Sequence, residues 1–197
     1  KPDLSKWENI VDRVLHPEGE VNVTVVGKYI ELQDAYKSLT ESLIHGGIAN
    51  RVRVKINWLE SEQFESDGVS PANLLGDADA ILVPGGFGER GAEGKIKAVQ
   101  YAREQKIPYF GICFGMQMAV IEGCRSLAGL PNAGTSEFGE YDPNVVGLMT
   151  EWTRGNMTEV RSEESDLGGT MRLGSYPCDL VEGTKVNEIY GASHVDE

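Results

Sequence analysis

The chain is short of the features that mark several protein classes. Its three cysteines, Cys113, Cys124 and Cys178, are too few and odd in number for a disulfide framework, and no Cys-x-x-Cys pair suggests zinc. No apolar run reaches the roughly 18 residues needed to span a bilayer, and Lys1 to Glu20 carry no basic-then-apolar signal pattern. Positive charge is scarce. Eighteen Lys+Arg stand against 31 Asp+Glu, and the formal net charge of −13 repels nucleic-acid backbones and anionic lipid surfaces. No Gly-x-x-x-x-Gly-Lys-Ser/Thr occurs, so these residues build no P-loop. Internal repeats and low-complexity blocks are missing too. What these absences leave is a soluble, cytoplasmic globular chain with neither nucleic-acid nor membrane partners.

What is present reads as alternation. Leu4, Trp7, Ile10, Val11, Val14 and Leu15 form a short amphipathic stretch that stops at His16-Pro17. Residues 1–20 are expected to be a lead-in from an upstream segment, since the chain starts Lys-Pro without Met. Residues 21–197 are expected to form the domain itself. Val21–Gly27, Val52–Leu59, Ala80–Val83 and Ile107–Ile112 have the apolar, β-branched character of buried strands, and Leu32–Ala49 and Ala92–Glu104 have helical spacing between them. Strand, helix, strand, helix implies parallel pairing through right-handed crossovers, hence a doubly wound α/β sheet with its ligand site at the carboxyl ends of the strands. Beyond Glu122 the texture turns to Gly-, Asn- and Pro-rich loop with β-like pieces at Val145–Trp152, Thr158–Arg161 and Thr170–Leu173.

The most informative stretch is Pro108-Tyr109-Phe110-Gly111-Ile112-Cys113-Phe114-Gly115-Met116-Gln117. A buried strand runs into Gly-x-Cys-x-Gly and then into an apolar helical pattern, the layout of a nucleophile elbow with sulfur in place of oxygen. Small residues on either side of Cys113 permit the sharp turn, and the helix N-terminus favours negative charge on the side chain at its tip. A cysteine taken at random is a small buried hydrophobe. Cys124 and Cys178, which lack this context, are read that way.

A second glycine-rich stretch, Pro84-Gly85-Gly86-Phe87-Gly88-Glu89-Arg90-Gly91, follows the third strand. Gly86-x-Gly88-x-x-Gly91 matches the dinucleotide fingerprint, but that motif needs an acidic residue about 20 positions on, at the end of the next strand. Gly111-Ile112-Cys113 stands there, so the dinucleotide reading fails. Close backbone approach is the better use of these glycines: an N–H from this loop and the N–H of Phe114 could both face an oxyanion forming beside Cys113. A cysteine nucleophile also needs a base. His16, His45 and His194 are poor candidates, since none follows an apolar strand with an acidic residue two positions on, and all three are read as surface or helix residues.

On these residues the chain resembles the class I glutamine amidotransferases. Gly27-Lys28-Tyr29-Ile30-Glu31-Leu32-Gln33-Asp34-Ala35-Tyr36-Lys37-Ser38, Thr150-Glu151-Trp152 and Ser165-Asp166-Leu167-Gly168-Gly169-Thr170-Met171-Arg172-Leu173-Gly174 are similar to the glutaminase domain that ends CTP synthases. The resemblance implies a flavodoxin-like, mostly parallel sheet. Cys113 would attack the glutamine side-chain amide, giving a thioester and ammonia, with the N–H groups of Gly86 and Phe114 as oxyanion hole. Gly85, Gly86, Phe114, Gly115, Met116, Gln117 and Glu137 would recognise glutamine, the Glu137 carboxylate suiting its α-ammonium. Asp166, Gly168, Gly169, Thr170 and Arg172 would belong to a lid through which GTP activates. The ammonia would pass to an amidoligase domain of the same polypeptide, upstream of Lys1, that uses ATP and Mg²⁺ to aminate UTP to CTP, in a homotetrameric enzyme. No cofactor or metal is implied for the glutaminase portion itself.

The sequence departs from the family at Phe114, where Leu is usual; the main-chain N–H does the work, so little is expected to change. The family's Arg-His-Arg-His-Arg-Tyr-Glu and His-Pro-Glu segments, which carry the base and its orienting carboxylate, are expected beyond Glu197, so the 197 residues are expected to be incomplete at their C-terminus. Two alternatives stand beside this reading: another cysteine-elbow enzyme of glyoxalase or protease type, and a non-catalytic domain that keeps the fold without the base.

Overall fold

The structure, a computed structural model, describes residues 2–147, 151–154, 157–160 and 175–196. Two compact units divide the chain, Lys1–Leu148 and Met149–Glu197. In the first, α1 (Ser5–Leu15) precedes β1 (Gly19–Gly27). A 3₁₀ turn (Gln33–Tyr36) leads into α2 (Lys37–Ala49), then β2 (Val52–Glu60), a second 3₁₀ turn (Ser61–Glu65) and α3 (Pro71–Leu75). β3 (Ala80–Val83), α4 (Ala92–Gln105), β4 (Tyr109–Gly111), α5 (Phe114–Ser126), β5 (Gly134–Thr135) and β6 (Asn144–Val146) follow. The sheet runs β2-β1-β3-β4 with every pair parallel. The doubly wound parallel architecture expected from the alternating pattern is therefore present.

Side chains alternate across that sheet with period two and serve different layers. Val23, Val25 and Leu82 face α2, packing with Leu39, Leu43 and Trp58. Val26, Ile81 and Val83 face the other way, against Phe64, Leu75, Ala98 and Ala102. Strands buried on both faces read as apolar runs, which is why Ala80–Val83 and the valine-rich Val21–Gly27 stand out. A third cluster, Ala92, Ile96, Val99, Phe114, Met118 and Ile121, seals α4 to α5. Each fully buried aliphatic or aromatic side chain contributes about 2 kcal/mol. At the rim of this cluster the buried Glu122 carboxylate meets the Arg103 guanidinium at 2.8–3.1 Å.

Boundaries differ from expectation where local bonds intervene. The helix expected over 32–49 splits because the Tyr36 hydroxyl donates to the Lys28 carbonyl at 2.6 Å, pinning the first turn to the end of β1. The fourth strand shrinks to Tyr109–Gly111, since Pro108 has no N–H to give a ladder. The amphipathic stretch before His16 forms α1 but buries none of its residues; Trp7 is 67% exposed.

In the second unit, β7 (Glu151–Arg154) and β8 (Met157–Val160) pair antiparallel, as do β9 (Pro177–Asp179) and β10 (His194–Asp196), with α6 (Lys185–Tyr190) between the latter two. Thr184 caps α6 by accepting the Asn187 N–H at 3.3 Å, and left-handed Gly191 ends it. The strand expected at Thr170–Leu173 lies outside the described residues. Among the described residues no helix is long and apolar enough to cross a membrane.

Candidate active site

β4 enters α5 through Gly111-Ile112-Cys113-Phe114-Gly115, and Cys113 caps the helix with φ 51° and ψ −105°. A cysteine in that region is strained. Three bonds hold it there: the Ile112 N–H donates to the Val83 carbonyl at 2.9 Å, the Gly115 N–H to the Ile112 carbonyl at 2.9 Å, and the Tyr109 hydroxyl to the Gly115 carbonyl at 2.8 Å. The flanking glycines are demanded by contact. A Cβ at Gly111 would stand 2.6 Å from the Gly115 carbonyl carbon, and one at Gly115 would stand 2.0 Å from the Val83 oxygen. The turn thus presents an exposed cysteine at the N-terminus of α5.

Beside it runs the loop from β3 to α4. A Cβ at Gly85 would lie 3.7 Å from the Cys113 Cβ, so main chain passes directly against the nucleophile-bearing carbon. Gly88 takes φ 79°, and its N–H donates to Glu137 Oε1 at 2.6 Å. Glu137 reaches it from the turn after β5, where its own N–H donates to Thr135 Oγ1 at 3.3 Å. From within the fold, Lys28 Nζ donates to the Phe87 and Gly88 carbonyls at 2.9 and 3.0 Å. Residues 85–88, 113–117 and 137 are therefore assembled at the carboxyl ends of β3 and β4. Phe114 and Gly115 are buried, Gln117 is half-buried, and Met116 is exposed.

Two lysines escaped the sequence reading. Lys28 follows directly on β1, at the carboxyl end where a doubly wound sheet binds ligands. Lys95 is 1% exposed on α4, and its Nζ stands 4.7 Å from the Phe114 ring centroid. Burial holds its pKa down at about 8, Lys28 adds to that effect and Glu60 opposes it. The signal was available: Lys95 falls with Ala92 and Val99 at i, i+3 and i+7 on the core-facing stripe. Phe138, edge-on to Phe114 with centroids 5.9 Å apart, is a further missed support.

Asp166, Gly168, Gly169, Thr170 and Arg172 lie outside the described residues. His16, just past the end of α1, pairs with Asp12 at 3.1 Å and His45 pairs with Glu41 on α2 at 3.8 Å, while His194 pairs with Asp179 at 2.7 Å in the second unit. All three are exposed, as expected. Cys124 is half-buried; Cys178, read as structural, is exposed on β9, because a three-residue strand at the surface buries little. Among the described residues no group of three or more His, Cys, Asp or Glu is placed to hold a metal ion.

The family model for class I glutamine amidotransferases matches residues 31–197. A CTP synthase of Rhodospirillum centenum is 66% identical over 197 residues, and one of Gluconobacter oxydans is 65% identical over the same span. The chain is covered completely in both cases and spans 36% of the length of these relatives. Among solved structures, the glutaminase domain of a Trypanosoma brucei CTP synthase with bound acivicin superposes with a TM-score of 0.74 at 34% identity, covering 90% of this chain and 65% of that one.

Proposed function

Because the chain belongs to the class I glutamine amidotransferases, we propose that it releases ammonia from L-glutamine through a Cys113 thioester. The observation that carries this reading is the juxtaposition at the elbow: an exposed thiol on a strained turn, glycine main chain against its Cβ, and a carboxylate bonded to the same loop.

In this reading Glu137 holds the substrate α-ammonium and Gly85, Gly115, Met116 and Gln117 border the side chain. The Cys113 thiol gives its proton to a base and Sγ bonds to the amide carbon, so the carbonyl π electrons move onto oxygen. That oxyanion sits between the N–H groups of Gly86 and Phe114, the first of which is in the glycine loop and the second at the start of α5. When the electrons return, the C–N bond breaks, and the amide nitrogen leaves as ammonia with the proton handed back by the base. Water then adds to the thioester carbon, the C–S bond breaks, and glutamate and the free thiol are regenerated. Glutamine and one water become glutamate and one ammonia.

We further assign the ammonia to the ATP- and Mg²⁺-dependent amination of UTP by an amidoligase domain of the same polypeptide, with GTP as activator through residues 165–174. The identities to CTP synthases support that assignment.

The test is glutamate release together with intact-mass spectrometry after exposure to acivicin or a diazo-ketone analogue of glutamine. Cys113→Ala is expected to lower glutamine hydrolysis at least 10⁴-fold and to abolish the adduct, while amination supplied with free ammonia persists. An adduct on Cys124 or the exposed Cys178 with Cys113 unmodified, or glutamate release that survives Cys113→Ala, overturns the reading.

A further inference from the structure

Among the described residues Lys95 ranks with Phe64 and Phe114 as one of the largest fully buried side chains. A lysine on the core stripe of α4 is a poor choice for packing alone, since an unbranched apolar residue fills the same space without a charge to desolvate. Its surroundings suggest what the charge is for. Nζ lies 4.7 Å from the centroid of the Phe114 ring, and a Cβ on Gly86 would lie 3.6 Å from it. Gly86 and Phe114 come from different loops and meet around this ammonium. The other charged groups acting on it are Lys28 at the end of β1 and Glu60 at the end of β2. Lys28 donates to the Phe87 and Gly88 carbonyls, while Glu60 Oε1 accepts the Ile30 N–H at 2.9 Å and its buried Oε2 makes no hydrogen bond, to Lys95 or to any other described residue. No acidic partner within the site therefore neutralises Lys95 by a recorded hydrogen bond or ion pair among the described residues.

We propose that Lys95 is a positioning residue for glutamine hydrolysis: acting through Gly86 and Phe114, its ammonium keeps the oxyanion hole electropositive while negative charge gathers on the substrate carbonyl oxygen. The inference rests on the glutaminase reading and deepens it. Before attack the ammonium stands against the π-face of Phe114, with Lys28 and Glu60 the other charges acting on it. As Sγ bonds to carbon, an anion appears on the far side of two backbone N–H groups that the ammonium already backs. A fixed charge in a water-poor interior stabilises that anion without reorganising.

The experiment compares wild type with Lys95→Met in the intact protein by two reactions of the same sulfur. Glutamine hydrolysis passes through an oxyanion. Alkylation of Cys113 by iodoacetamide expels iodide from a saturated carbon and does not. Lys95→Met is expected to lower kcat about tenfold, with KM and the alkylation rate each within twofold of wild type, and Lys95→Arg to recover part of kcat. Unchanged kcat overturns the proposal, and so does a parallel fall in hydrolysis and alkylation, which reports a distorted elbow. A wild-type protein that hydrolyses no glutamine sinks the glutaminase reading itself, whereas active wild type with an equally active Lys95→Met sinks only the role of Lys95.

Discussion

Replacing Lys95 by Met is also expected to make the protein more stable. In the fold this lysine is 1% exposed and its pKa is held down at about 8 from 10.5, chiefly by burial. Each pKa unit corresponds to about 1.4 kcal/mol, so keeping the ammonium charged at neutral pH costs about 3 kcal/mol. Losing the contact with the Phe114 ring returns about 1 kcal/mol of that, and Met fills nearly the same volume. The net gain at pH 7 is about 2 kcal/mol, equivalent to a rise in Tm of about 4–8 °C for a chain of this size. The pH dependence carries the sign. A group whose folded pKa is depressed below its unfolded one binds fewer protons when folded, so wild-type stability climbs relative to Met as pH rises from 8 to 10.5. Urea unfolding of both proteins at pH 7, 8, 9 and 10 should show the advantage of Met shrinking by about 1.4 kcal/mol per pH unit above pH 8. A difference that is flat across that window, or a variant less stable than wild type at pH 7, refutes the reasoning.

Gly115→Ala is expected to cost more than 3 kcal/mol, because its Cβ would overlap the Val83 oxygen at 2.0 Å, and calorimetry measures it directly. Arg103→Met strips the buried Glu122 of its guanidinium and should lower stability at pH 7. Burial pushes the Glu122 pKa up, but the Arg103 bonds prevail and hold it below the usual value. Wild type therefore keeps this contribution above about pH 4.5 and loses it as pH falls further. The deficit of Arg103→Met should accordingly narrow on going from pH 7 to pH 4 in the same unfolding assay. Glu137→Gln keeps an acceptor for the Gly88 N–H but removes the charge proposed to hold the substrate ammonium; KM for glutamine should rise about tenfold or more with kcat little changed.

The central sheet was legible because its two inner strands are buried on both faces, so Ala80–Val83 is apolar throughout and Val21–Gly27 is rich in valine, while the edge run before Cys113 keeps enough apolar residues to read as a strand although Phe110 is exposed. The elbow was legible for a different reason: Gly111 and Gly115 mark places where main chain meets main chain, a demand that survives as residue type. The split before α2 was not legible. It is set by a Tyr36 hydroxyl reaching eight residues back to Lys28, a contact without periodicity. Glu137 entered only by resemblance, since a carboxylate in a polar loop has no local signature, and its bond to Gly88 joins positions 49 apart. Lys95 lay within reach of pattern reading but was passed over, because its charge hid its place on an otherwise apolar stripe.

The left-handed backbone at Cys113 bears on how this sequence would drift under selection. A screen for thermal endurance alone would favour glycine at 113, where φ is 51° and strain of about 1–3 kcal/mol is relieved by losing Cβ. It would favour Met or Leu at 95 for the reasons given above. The first removes the thiol itself and the second the ammonium held against the ring of Phe114, the neighbour of Cys113 in sequence. The positions where endurance and turnover ask for different residues therefore mark out the site, and a deep substitution survey scored for abundance on one axis and ammonia release on the other should find them at opposite corners.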